Sequence, residues 1–201
     1  EVTPFTKIKE WYDEGKYKPY AEEYNSAKLI KVVTHAMTNV PEYIRINRIV
    51  RDIPEKSIIG GLKFSNLRQV IQKNMEKENI LCNDIREREI KFNDFNDRNI
   101  KLNILKYVSS GGWEYFISFT SNNHKYLYGF IRLRLNTDYS DCLSSLENCA
   151  LIRELHVFGE HCGISEQKIK KDKGSLTQHK GLGKYLLSTA ESIAYFNGYY
   201  K

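Results

Sequence analysis

The chain has 201 residues, 41% of them hydrophobic, which is enough to bury one substantial core or two small ones. No stretch approaches the ~18 uninterrupted apolar residues of a membrane-spanning helix, so the sequence excludes a span of that kind. Its 31 basic side chains outnumber its 25 acidic ones, and the net charge of +6 is compatible with a nucleic-acid partner without requiring one. Because the chain begins with Glu1, we expect a segment of a longer soluble protein.

The first predicted elements are helical. Thr3 and Pro4 predict the start of a short helix that stops at Gly15. An aromatic loop follows at residues 16–20, in which tyrosines alternate with lysines and a proline. Residues 22–37 are predicted to form a second helix, because apolar side chains recur on one stripe at Ile30, Val33 and Met37.

Residues 43–50 alternate in polarity and are predicted to form a strand, and three arginines lie in or beside it: Arg45, Arg48 and Arg51. They form either a solvated, ion-paired strand face or a surface that contacts nucleic-acid phosphates, and the residues favour neither reading. Residues 66–78 are predicted to form a third helix, and a charged alternating stretch at 84–91 marks a domain boundary. We expect one domain at residues 1–90 and another at 91–201.

The second domain is predicted to be rich in strands. Residues 100–104 alternate, residues 109–112 form a hairpin turn, and further strands follow at 113–120 and 126–135. Residues 151–158 are apolar enough to be covered on both faces. Residues 182–197 have helical periodicity, and Gly198 suits the end of that helix.

A glycine-bearing turn precedes this last helix, and it consists of Gln178, His179, Lys180, Gly181, Leu182 and Gly183. Backbone N–H groups at a helix N-terminus, together with the helix dipole, favour a phosphate or pyrophosphate. The two glycines let the backbone approach such an anion closely, and Lys180 and His179 add donors. A plain structural turn is the alternative.

Four cysteines occur without any C-x-x-C pair, which is typical of reduced intracellular thiols: Cys82, Cys142, Cys149 and Cys162. A zinc site that combines Cys162 with His161 or His156 is an alternative, but the spacing is not that of a recognised finger, and we expect no metal site in this chain.

The pattern Q-x-x-G-x-G after a strand resembles the acyl-CoA pyrophosphate loop of the GNAT superfamily of N-acetyltransferases. Together with IRELHVFG it resembles, more narrowly, the acetyltransferase domain of the catalytic third subunit of Elongator, a family of tRNA wobble-uridine modifying enzymes. Phrases in the first half, EWYDEGKYKPY, RINRIVRDIP, SNLRQ and NDIREREI, resemble the segment that links the radical-SAM half of that subunit to its acetyltransferase half.

The resemblance implies an α/β (α+β) fold with a GNAT-type, mostly antiparallel mixed sheet and flanking helices, preceded by a linker from a radical-SAM domain and incomplete at the C-terminus. It implies acetyl-CoA as the cofactor, held by the glycine turn and by the backbone of Glu154, Leu155, His156 and Val157. S-adenosylmethionine and an iron–sulfur cluster are expected only in the upstream domain. The usual GNAT tyrosine acid would follow this chain, so Tyr199 and Tyr200 are not given that role.

Glu154 and His156 alternate onto one strand face, where either could remove a proton directly or through water. Alternatively, Glu154 pairs with a neighbouring arginine and His156 is a satisfied core histidine. In the family, acetyl-CoA supplies a two-carbon unit for carbon 5 of the wobble uridine, and its hydrolysis is expected to be stimulated by tRNA. The implied partners are tRNA and other Elongator subunits in the cytoplasm, with the nucleus as a second location, and no membrane contact is expected.

Two other functions stay open. One is a lysine or histone N-acetyltransferase, which shares the CoA site and differs in the acceptor. The other is a catalytically silent tRNA-binding scaffold. The lysine-rich insert at residues 160–177 is predicted to be a mobile solvated loop, with RNA contact or blockage of the empty CoA site as an alternative role.

Overall fold

A computed structural model describes residues 1–51, 53–63, 66–90, 100–137, 143–159 and 181–200. The chain divides into two compact units, Glu1–Glu87 and Arg88–Lys201. The first unit is helical, with α1 at Lys7–Asp13, α2 at Ala27–Asn39 and α3 at Leu67–Lys77, followed by the single turn α4 at Ile85–Arg88. The second carries an antiparallel sheet and one long helix. No helix within the described ranges has both the length and the apolarity needed to cross a membrane.

Both N-terminal helices begin later than predicted. Thr6, and not Thr3, caps α1 through its Oγ1, because Phe5 has a φ of 61° that a helix cannot contain. Val2 instead bonds to the backbone of Gly60. The second helix starts as a 3₁₀ turn at Tyr20–Ser26, and α2 follows only after Ser26, whose φ is 67°. Met37 is buried, and Ile30 and Val33 are partly buried against the same core, so the predicted apolar stripe is confirmed.

The predicted strand at residues 43–50 is wrong, because this segment is irregular. A strand needs a partner for its backbone groups, and here side chains and a helix turn take that place. The Ile46 N–H donates to Asp84 Oδ1 at 2.8 Å, and its carbonyl accepts from Arg68 Nη2 at 2.5 Å. The Ile44 carbonyl accepts from the Ile85 N–H at 3.0 Å.

The core of the first unit lies between α2 and α3. The third helix agrees with its prediction, and its inward side chains Leu67, Ile71 and Met75 are buried. Partly buried side chains of the irregular segment pack against the same cluster, namely Ile46, Ile49 and Val50. The apolar residues of that segment therefore face the core although it is not a strand.

The sheet of the second unit has the order β1-β2-β3-β4, with each neighbouring pair antiparallel. The strands are β1 at Ile100–Ser109, β2 at Gly112–Ser121, β3 at Leu127–Asn136 and β4 at Ala150–Val157. The predicted hairpin turn is confirmed: Ser110 and Gly111 both have positive φ, at 42° and 71°, as the tight turn between twisted strands requires.

Helix α5, Leu182–Phe196, packs on one face of this sheet. Its buried residues Leu186, Ala190 and Ala194 share a core with the inward side chains of the middle strands, which are Tyr115, Ile117, Phe119, Ile131, Leu133 and Leu135. This confirms the predicted helix. Small alanines on the helix let it lie close to the sheet.

The prediction that residues 151–158 are covered on both faces is wrong. In the described part of the chain β4 pairs with β3 alone and is an edge strand. Its apolar side chains Leu151, Ile152 and Leu155 are 38%, 40% and 42% exposed. The side chains of β4 are therefore only partly covered, and no described strand pairs with its second edge.

Candidate functional site

The N-terminus of α5 carries open backbone donors. Gly181, just before the helix, has a φ of 79°, and a Cβ built there meets nothing within 4 Å. Within the described residues no side chain caps the helix, and its first turn has no acidic residue. The first N–H groups of a helix have no intrahelical acceptor, so this end suits an anion. Three predicted loop residues lie outside the described residues: Gln178, His179 and Lys180.

This helix end adjoins the end of β4. A Cβ built on Gly183 would lie 3.5 Å from Cγ2 of Val157, an ordinary contact. Leu182 and Val157 also pack against the same core. The described part of the glycine turn, Gly181–Gly183, thus lies beside the end of β4. An extended ligand could bind the helix N-terminus with its anionic end and run along the free edge of β4.

Glu154 and His156 lie on the same face of β4, as predicted. Nε2 of His156 is 3.0 Å from Oε1 of Glu154, and the other oxygen accepts from Nε of Arg132 at 2.7 Å. Half of the His156 side chain and about a third of the Glu154 side chain are exposed, at 50% and 31%. Arg132 holds one oxygen of the carboxylate by this hydrogen bond, and a proton on Nε2 of His156 leaves Nδ1 as the acceptor nitrogen of the ring.

Glu154 therefore pairs with an arginine, which is the alternative that the sequence left open. Arg132 comes from β3, directly opposite Glu154 in the register. That pairing does not remove the carboxylate from solvent. The imidazole of His156 lies 5.5 Å from the ring of Phe130 and is not a buried core side chain. Both groups stay accessible to a ligand on β4.

A second carboxylate on this face was not foreseen. Glu114 on β2 is 1% exposed, and its Oε1 accepts from Arg134 at 3.2 Å and from Arg153 at 2.8 Å. Its Oε2 has no hydrogen-bond partner within the described structure. The sequence signal was the alternation of charge and apolar residues in both strands, which puts Glu114 opposite Arg134 once the hairpin register is known.

The three predicted phosphate-contacting arginines belong to the first compact unit, and Arg45, Arg48 and Arg51 are all exposed. The buried side of their segment is fixed by ionic contacts. Arg68 bonds to Asp84 at 3.0 Å and also to Glu87, and Asp84 is completely buried. Burial lowers the pKa of Arg68, but hydrogen bonds to Glu87 and Asp84 outweigh this and hold it above its usual value.

The described residues do not fit a metal cluster. Cys82 and Cys149 form no disulfide bond, and Sγ of Cys82 donates to the Met37 carbonyl at 3.1 Å. Within the described ranges no three histidines, cysteines or carboxylates are grouped as metal ligands would be. Cys142, Cys162 and His161, the last two of which figure in the zinc alternative, lie outside these ranges.

Known proteins resemble nearly the whole chain. Residues 1–77 match the family described as the Radical_SAM C-terminal domain. The chain is 37% identical over 197 residues to a protein of Methanocaldococcus jannaschii named tRNA uridine(34) acetyltransferase, covering 94% of this chain and 34% of that protein. It is 33% identical over 193 residues to Elongator complex protein 3 of Dictyostelium discoideum, covering 94% of this chain and 33% of that protein.

A solved structure shares the fold. The archaeal Methanocaldococcus infernus Elp3 with an N-terminal deletion superposes with a TM-score of 0.72 at 34% identity, over 96% of this chain and 45% of that one. The chain spans about a third of the length of the curated relatives it matches. The homology thus confirms the resemblance seen in the sequence phrases, and the chain belongs to the family of the tRNA uridine(34) acetyltransferases and Elongator complex protein 3.

Proposed function

We propose that this chain is the acetyl-CoA-binding part of an acyltransferase that modifies carbon 5 of the tRNA wobble uridine, with a GNAT-type domain in the second unit. The observation that carries the proposal is the uncapped N-terminus of α5 beside the free edge of β4. The names of the relatives support the tRNA substrate. Those named Elongator complex protein 3 support other Elongator subunits as partners.

The residues of this chain fit the cofactor at two points. The N–H groups after Gly181 would hold the pyrophosphate, because no side chain of the described residues caps them. The backbone of β4, from Glu154 to Val157, would bind the pantetheine and orient the thioester carbonyl toward an N–H donor. Acetyl-CoA, when bound, supplies the activated two-carbon unit.

The pair of Glu154 and His156 would take the proton from the group that attacks the thioester. With Nε2 committed to Glu154, Nδ1 of His156 can accept a proton directly or through a water, and the carboxylate stabilises the imidazolium that forms. Arg132 keeps the carboxylate in place. S-adenosylmethionine and the iron–sulfur cluster, which would supply the radical chemistry, are assigned to another part of the parent protein, because residues 1–77 match the C-terminal domain of the radical-SAM family.

The test is a charge substitution at the helix end. Gly183→Glu in the full-length protein puts a negative side chain at the predicted pyrophosphate position, so acetyl-CoA affinity should fall by more than about tenfold. Gly183→Gln has nearly the same size without the charge and should lose less. Isothermal titration with acetyl-CoA measures both, and circular dichroism checks the fold. Equal affinities of wild type and Gly183→Glu would refute the site.

A further inference from the structure

The first unit contains a cleft that the proposed acetyl-CoA site does not use. Its volume is about 400 Å³, within the usual size range of ligand pockets. One side is formed by the aromatic loop, with Tyr17, Pro19 and Tyr20. The irregular arginine segment contributes Ile49, Val50 and Arg51 to the same cleft. An aromatic wall and a cation therefore meet in one concave surface.

The polar groups of this cleft are available to a ligand. Tyr20 is 60% exposed, and within the described structure neither Tyr17 nor Tyr20 stacks on another aromatic ring. Arg51 is exposed, and it forms no ion pair with any described residue. Lys18 lies beside the two tyrosines in the chain and is also exposed. A free guanidinium and accessible phenol rings have a common ligand in the unstacked nucleotide.

We infer that this cleft binds one unstacked nucleotide of single-stranded RNA, with a base on Tyr20 and the adjoining phosphate on Arg51. A base offers a π-face to an aromatic side chain whatever its identity, so stacking here is tolerant of sequence. The exposed Arg45 and Arg48 on the same segment extend the positive surface along the RNA backbone. The inference rests on the proposed tRNA substrate. It adds to the phosphate-contacting arginines a residue, Tyr20, that would hold a base.

The stacking contact of Tyr20 and the phosphate contact of Arg51 depend differently on salt, so their contributions to RNA affinity can be measured separately. Tyr20→Ala in the full-length protein should weaken binding of fluorescein-labelled hexauridylate by about tenfold and leave the slope of log affinity against log salt unchanged. Arg51→Ala should weaken binding and reduce that slope by roughly 0.7, the value for one phosphate of a single strand. Tyr20→Phe keeps the ring and should bind like wild type. Fluorescence anisotropy at several salt concentrations measures all three.

Matched controls lie outside the cleft. Tyr24 is 80% exposed and does not line it, so Tyr24→Ala should leave affinity unchanged. Lys73→Ala removes an exposed charge on α3 and should not reproduce the effect of Arg51→Ala. RNA that carries 4-thiouridine should crosslink to the peptide containing Tyr17 and Tyr20. A fully paired RNA duplex should be insensitive to Tyr20→Ala, because it offers no unstacked base.

The outcomes distinguish this inference from the proposed function. Wild-type affinity for hexauridylate in both Tyr20→Ala and Arg51→Ala overturns the cleft, even where the protein still binds and modifies tRNA. Binding of a proline-rich peptide that Tyr20→Ala abolishes, with RNA affinity unchanged, would make the cleft a peptide site. A protein that binds hexauridylate through Tyr20 but ignores acetyl-CoA and tRNA would keep the cleft and refute the proposed function.

Discussion

His156 contacts a single oxygen of Glu154. Because Arg132 holds the other oxygen, Glu154 cannot turn away without breaking a 2.7 Å bond. Side chains on neighbouring strands are fixed by the sheet register, so this three-residue chain is held more firmly than one on a loop would be. Replacing Glu154 and His156 therefore tests whether these side chains transfer a proton or only hold the strand in place.

In the full-length protein we expect the double variant Glu154→Gln, His156→Ala to lower tRNA-stimulated acetyl-CoA hydrolysis by about 100-fold, the range of a lost acid–base pair. Acetyl-CoA affinity should change little, because the backbone of β4 binds the cofactor. A thiol-release assay measures the rate. Arg153→Ala is the matched control, since Arg153 contacts Glu114 and not Glu154. A loss of the same size in the control would assign the effect to structure.

At the scale of elements, the segment at residues 43–51 combines a buried side and a charged side. Ile46, Ile49 and Val50 pack inward, while the arginines between them are exposed. Without a partner strand, the segment depends on Asp84, Arg68 and Arg86 for its backbone hydrogen bonds. Its shape is thus set by a buried ionic cluster and not by its own sequence pattern.

Asp84→Ala should therefore loosen this segment first. The Ile46 N–H loses its acceptor, and the part-buried guanidinium of Arg68 loses an ion-pair partner. We expect the free energy of unfolding of the first unit to fall by about 3 kcal/mol. Hydrogen–deuterium exchange of residues 44–47 should become faster. Glu10→Ala removes an exposed pair with Lys7 and should leave that exchange unchanged. Unaltered protection in the Asp84 variant would mean that another contact holds the segment.

The charged side of the same segment gives a second prediction. Replacing Arg45, Arg48 and Arg51 together by alanine should weaken tRNA binding and flatten its salt dependence by a slope of roughly 1 for each lost phosphate contact. Filter binding across a salt series measures both quantities. Unchanged affinity and slope would leave these arginines with a structural role alone.

For the whole molecule, the share of the relatives' length that this chain covers indicates which steps the chain can carry out. The chain spans about a third of its curated relatives, and its first 77 residues match only the C-terminal domain of the radical-SAM family. We expect the isolated chain to bind acetyl-CoA poorly and not to modify uridine, and the full-length protein to hydrolyse acetyl-CoA faster when tRNA is added. Thiol release with and without tRNA, and nucleoside analysis of the tRNA, measure this.

Two results would contradict this assignment. Uridine modification by the isolated chain would contradict the assignment of the radical chemistry to another part. Full-length protein that ignores tRNA and acetylates a histone peptide would favour a lysine acetyltransferase, which shares the glycine turn and β4 but takes another acceptor.

Local chemistry determined much of this fold from the sequence alone. The periodicity of Leu67, Ile71 and Met75 predicts α3, and that of Leu186, Ala190 and Ala194 predicts α5. The turn at Ser110 and Gly111 follows from residues that tolerate positive φ. The same applies to the placing of Glu154 and His156 on one face, since strand side chains alternate. These features depend on neighbours a few residues away.

Only the tertiary structure decided which residues meet across the chain. The alternating pattern at 43–50 predicts a strand, but a strand forms only where a partner strand supplies hydrogen bonds, and Asp84 and Arg68 supply them here instead. The sequence likewise leaves open which arginine pairs with Glu154, because the register that puts Arg132 opposite it includes a bulge. The cleft of Tyr20 and Arg51 joins residues 31 positions apart, beyond the reach of any local pattern.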